Sequence, residues 1–148
     1  MRRALLLIAV LAACTTKGDV GKDSAVAAGD VGTTLHASDI AGKWTGTTMA
    51  GTSDSVVSRW TIVSSDGATS GLVIEGMPDT IRTRNAYAGD SLVSTSEPFT
   101  SPARPGVQLT FVAVGRLENG TLRGSLVERL ASSPDSVVAR DHWEAHKQ

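Results

Sequence analysis

Asn119-Gly120 and Asp66-Gly67 each stand between two runs in which apolar and polar residues alternate. Such a pair accepts the positive φ of a tight turn whose twist matches the flanking strands, so each marks a β-hairpin. From Ile40 onward the same pattern repeats, and eight alternating runs can be read. They are 42–49, 55–63, 70–76, 80–88, 91–100, 107–117, 121–130 and 136–146. Ala50-Gly51, Met77-Pro78-Asp79, Gly89-Asp90 and Ser132-Ser133-Pro134 supply further short turns. Ser101 to Gly106 is a longer loop whose two prolines cannot donate to a ladder. No stretch of helical length carries a 3.6-residue apolar stripe.

Short turns make successive strands antiparallel neighbours. An open sheet would leave two edges of unpaired N–H and C=O groups, and pairing the first strand with the last removes both. The predicted fold is therefore all-β, an eight-stranded antiparallel up-and-down barrel. The alternative is a two-sheet sandwich, but no connection here is long enough for a Greek-key crossover. Few aromatic residues and an abundance of Ser, Thr, Gly and Val agree with strands and turns. The segment 54–59, Asp-Ser-Val-Val-Ser-Arg, echoes 135–140, Asp-Ser-Val-Val-Ala-Arg. Each copy leads to a tryptophan, Trp60 or Trp143, and closure would bring both beside the first strand, within reach of Trp44.

The single cysteine excludes an internal disulfide and a cysteine-based zinc site. It is Cys14, at the end of a leader. Arg2 and Arg3 open that leader, and an apolar stretch of about ten residues follows, too short to span a bilayer core. Leu11-Ala12-Ala13-Cys14 resembles the lipobox of bacterial lipoproteins. The resemblance implies that residues 1–13 are a signal peptide and that Cys14 is lipidated and becomes the first mature residue. It also implies a lipid-anchored protein of the cell envelope, since several acyl chains such as palmitate on one residue hold where one chain is marginal. Thr15 stands where an inner-membrane retention signal would have Asp, which points to the outer membrane in an organism that has one. Residues 14–38, rich in Gly, Ala, Ser, Thr and Asp and including His36, read as a flexible linker reaching roughly 25–30 Å. The barrel domain is then 39–148.

Gly42-Lys43-Trp44 opens the first strand. Gly-x-Trp there, followed by seven more short strands, resembles the lipocalins and their calycin relatives. In that family the tryptophan closes the base of the barrel beside an arginine from the last strand. The resemblance implies base roles for Gly42, Trp44 and Arg140. The family's later Thr-Asp-Tyr motif is absent.

Formal net charge is −1, and loss of Arg2 and Arg3 with the leader makes the chain more acidic. Without a basic stripe, no nucleic-acid partner is expected. No His-Glu-x-x-His, Gly-x-Ser-x-Gly or phosphate-cradling loop occurs, so the chain reads as a non-enzyme without a cofactor. His142 and His146, four apart on a strand, lie about 13 Å apart, too far to share a metal. Asn119-Gly120-Thr121 fits a glycosylation sequon and is better explained as a turn.

Alternation places Glu128 with Leu122, Leu126 and Leu130, and Asp141 with Ala139 and Trp143. If that face is the lumen, the two carboxylates are polar anchors in a pocket with Asn85 and Tyr87 as neighbours and Trp60 as a wall. Otherwise a bulge reverses the register, or both sit at a wet rim. Small inward residues (Gly46, Ser58, Gly124, Ala139) favour a cavity. Two functions follow: an envelope barrel that binds or carries a small apolar or amphipathic ligand, or a non-enzymatic interaction module with a filled core. The partners are the membrane, through acyl chains on Cys14, and a small hydrophobic ligand in the first case.

Overall fold

The computed structural model describes residues 34–148. The expected leader, Cys14 and the expected linker up to residue 33 lie outside the described residues. A four-residue helix α1 (Ala37–Ile40) precedes nine strand segments: β1 (Gly42–Ala50), β2 (Val56–Ser64), β3 (Thr69–Ile74), β4 (Thr80–Ala88), β5 (Ser91–Ser96), β6 (Phe99–Thr100), β7 (Gln108–Glu118), β8 (Thr121–Leu130) and β9 (Ser133–Lys147). All pairings are antiparallel. Strands β1 to β5 pair in chain order, β5 pairs with β7, and β7, β8 and β9 lead back to β1.

The result is a closed eight-stranded barrel, consistent with a lipocalin-like architecture. The ninth segment is not an extra stave. β5 and β6 lie end to end along β7, against Val112–Arg116 and Gln108–Leu109, and form one strand interrupted at Glu97-Pro98. Proline has no N–H to give a ladder. Where the strand jogs, the N–H of Phe111 is taken instead by the Ser96 hydroxyl at 2.8 Å.

Turn chemistry fixes the register. Asn119 and Gly120 both have positive φ, 50° and 79°, as the tight β7–β8 hairpin requires. The β7–β8 ladder then runs unbroken from Glu118↔Thr121 to Leu109↔Leu130. One bulge alters the predicted facing of β2: Thr48 pairs with Ser58 and Met49 with Val56, leaving Val57 as the extra residue. Beyond it, Ser58, Trp60 and Ile62 face the lumen as alternation predicts, and Val57 stands at the rim beside them.

The barrel has a sealed base and an open top. The base holds the β2–β3, β4–β5 and β7–β8 turns and both ends of the domain. Here the structure moves the predicted boundary at residue 39. Residues 34–38 form no linker; with 39–41 they are a plug laid across the base. Leu35 donates its N–H to Gly89 O at 2.9 Å, and both Leu35 and Ile40 are buried in the core. Asp39 accepts the His36 N–H at 2.8 Å, starting α1. Gly67 lets the β2–β3 turn lie against this plug, because a Cβ there would collide with the Ala37 backbone. Gly42, at φ 118°, turns the chain from the plug into β1.

Candidate functional site

Trp44 sits on the plug. It is 2 % exposed, and its indole N–H donates to Ile40 O at 2.8 Å. The cation above its ring is Lys147, 5.5 Å from the centroid and also bonded to Asp39 O at 3.2 Å. This corrects the expectation for Arg140. Trp44 pairs with Lys147 across the β1–β9 ladder, whereas Arg140 lies seven residues up β9, exposed on the outer wall toward the open end. The last strand runs longer than predicted, and its far end supplies the basic residue.

Above Trp44 the lumen is crossed by two indoles. Trp60 pairs with Gly46, and Trp143 pairs with Gly124. Each ring lies over glycine: a Cβ at Gly46 would strike Trp60, and one at Gly115 would strike Trp143. Gly124 is packed closer still, against the Val114 backbone. The rings meet edge to face, with centroids 6.1 Å apart and planes at 63°. Gly46 therefore seats a tryptophan and Gly124 is closed off by the facing backbone, so neither leaves open space. The indole N–H groups are satisfied, Trp60 by Thr48 Oγ1 at 3.0 Å and Trp143 by Ser125 O at 3.1 Å.

A cavity of about 270 Å³ remains. It extends from Ile40 and Trp44, past both indoles and the Phe99–Phe111 pair, to Val57, Pro102 and Ala103 at the upper rim. Ligand cavities commonly measure about 300–1,000 Å³ and are mostly apolar; this one falls just below that range in volume and shares the apolar lining.

Glu128 and Asp141 both line it. The register explains why: Glu128 pairs with Ala139 and Leu126 with Asp141, so the carboxylates are diagonal neighbours on one face. The irregularity in β8 begins only after Glu128 and does not turn it outward. One Asp141 oxygen accepts the Gly51 N–H at 3.0 Å, which ties β9 to the β1–β2 turn. Glu128 has no hydrogen-bond or ion-pair partner among the described residues. Burial, and then the nearby charge of Asp141, push its carboxyl above the usual carboxylate range.

Asn85 and Tyr87 serve the base. Asn85 does line the cavity, but its amide donates to Gly67 O at 2.8 Å and Ser70 Oγ at 3.1 Å. The Tyr87 hydroxyl also donates to Gly67 O, and Tyr87 does not line the cavity. Both hold the β2–β3 turn against the plug. Burial raises the Tyr87 phenol pKa. In the same turn, Asp66 accepts the Ala68 and Thr69 N–H groups, which lower its carboxyl pKa.

His142 and His146 face outward, near Gly51 O and Thr121 Oγ1 respectively. Among the described residues no three metal-ligating side chains gather. Alternation missed the upper-rim lining, Val57, Pro102 and Ala103; the Pro-rich composition of 101–106 identified a loop but not its position over the lumen. Compared with known proteins, the chain matches no family model, no curated protein and no solved structure.

Proposed function

We propose that this protein is a lipid-anchored barrel of the cell envelope that binds or carries a small apolar or amphipathic ligand in its lumen. One observation carries the ligand reading. The lumen holds a cavity lined mainly by apolar and aromatic side chains, sealed by the plug at one end and reaching the surface at the other. A barrel serving only as an outer scaffold has no need of such a cavity, which forfeits packing contacts along its walls. The anchor reading rests on Leu11-Ala12-Ala13-Cys14.

Native mass spectrometry of the full chain, released from lipid nanodiscs after incubation with envelope lipid extract, tests the ligand reading. A small retained mass is expected; its absence favours the filled-core interaction module. Cys14→Ser tests the anchor separately. It is expected to abolish acylation and recovery in the detergent phase, and an unchanged partition would defeat the anchor.

A further inference from the structure

The cavity has an uneven inventory of polar groups. Among the described residues its only charged lining side chains are Glu128 and Asp141, and no lysine, arginine or histidine lines it. The nitrogen donors of the lining are already committed, and the lining hydroxyls, Ser58 and Ser94 among them, carry no charge to meet a carboxylate or phosphate. The Trp44, Trp60 and Trp143 indoles donate to Ile40, Thr48 and Ser125, and the Asn85 amide donates to Gly67 and Ser70. An anionic headgroup would enter without a counter-charge and would face two carboxylates. Unpaired charges taken out of water are strongly disfavoured.

A cation meets the opposite situation. Glu128 offers two oxygens without protein partners among the described residues, and Asp141 bonds Gly51 through only one of its oxygens. Their diagonal placement on adjacent strands lets one ammonium group approach both. Its charge would also relieve the repulsion between them, which contributes to raising the Glu128 pKa.

Level with the acids stand Phe111, cross-strand from Glu128, and Leu126, cross-strand from Asp141; below them come Trp60 and Trp143, then Leu122 and Trp44 toward the base. An indole face accepts both an apolar body and a nearby cation.

We propose that the cavity selects ligands with a protonated amine on a small apolar body, the ammonium held by Glu128 and Asp141 and the body against the tryptophans. This rests on the reading that the lumen takes a ligand, and it narrows that ligand to cationic amphiphiles. Fatty-acid-like anions are disfavoured.

The chain has three tryptophans and all three line the cavity, so intrinsic fluorescence reports its occupancy. The test uses the full chain in nanodiscs of neutral lipid, with empty discs subtracted, titrated at pH 7 with heptylamine, heptan-1-ol and heptanoate. The amine is expected to bind at least about tenfold more tightly than the alcohol, the low end for a charge-assisted hydrogen bond. Heptanoate is expected to bind most weakly. Glu128→Gln is expected to remove the advantage of the amine, with far-ultraviolet circular dichroism as the folding control. The wild-type series decides the matter even if that variant fails to fold. Equal affinities, or heptanoate binding tightest, overturn the amine selectivity and leave the ligand reading standing. Binding of none of the three overturns both.

Discussion

The sealed base and the open top are made from the same strands, yet they differ in how their apolar residues are covered. At the base, Trp44 and Ile40 are each 2 % exposed and Ala145 1 %, and Leu35 closes over them. At the top, Val56 and Val57 are 46 % and 55 % exposed, and the carboxylates of Glu128 and Asp141 stand where more core would be. The contrast shows a division of labour along the barrel axis. Tight packing at one end stabilises a closed sheet, so the other end can keep an open mouth and an unpaired carboxylate. Tryptophan marks the boundary, with Trp44 in the packed end and Trp60 and Trp143 between the two regimes.

Truncating the base should have the largest effect. Trp44→Ala removes a buried indole and its bond to Ile40, and is expected to cost about 3–5 kcal/mol in urea unfolding. A loss below about 1 kcal/mol would mean that the base does not anchor the barrel. Gly124→Ala probes the boundary. Its new methyl meets the Val114 backbone, which cannot swing away, and a loss of about 1–3 kcal/mol is expected.

Glu128→Gln should act in the other direction and more weakly. Because the folded-state pKa of Glu128 is raised, its contribution to stability is fully present below the unfolded carboxylate pKa and is lost as pH rises through the folded value. The variant is therefore expected to melt slightly above wild type at pH 7, with the gap closing as pH falls below the usual carboxylate range. A gap that widens in acid would show that Glu128 has a stabilising partner. Val57→Ser, at the exposed rim, should stay within about 0.5 kcal/mol of wild type. Anything larger would erase the distinction between the two ends.

The strands were legible because hairpin turns write themselves into short stretches of sequence. Thr80–Ala88 and Thr121–Leu130 begin and end as the runs predict, since Pro78-Asp79, Gly89-Asp90 and Asn119-Gly120 bound them. For Glu128 and Asp141 alternation offered the lumen as one of two readings, the other being a bulge or a wet rim; the ladder register places both in the cavity lining. The plug was not legible. Leu35 is a lone large apolar residue among small and polar ones, and only its fit against residues far along the chain makes it core. The cation at Trp44 was missed because a ladder register, not a motif, selects Lys147 over Arg140. Gly46 and Gly124 misled for a related reason: a missing side chain reads as space until it is known that an indole fills it, as at Gly46, or a facing backbone, as at Gly124.

The stopper of this barrel and its first stave are one continuous piece of polypeptide, since β1 begins only two residues after buried Ile40. Any mechanical pull on the chain ahead of Thr34 would therefore load Leu35 and the short helix before it could shear a single ladder bond. The stopper would yield as a fuse, opening a second doorway at the base while the hoop of strands stayed closed.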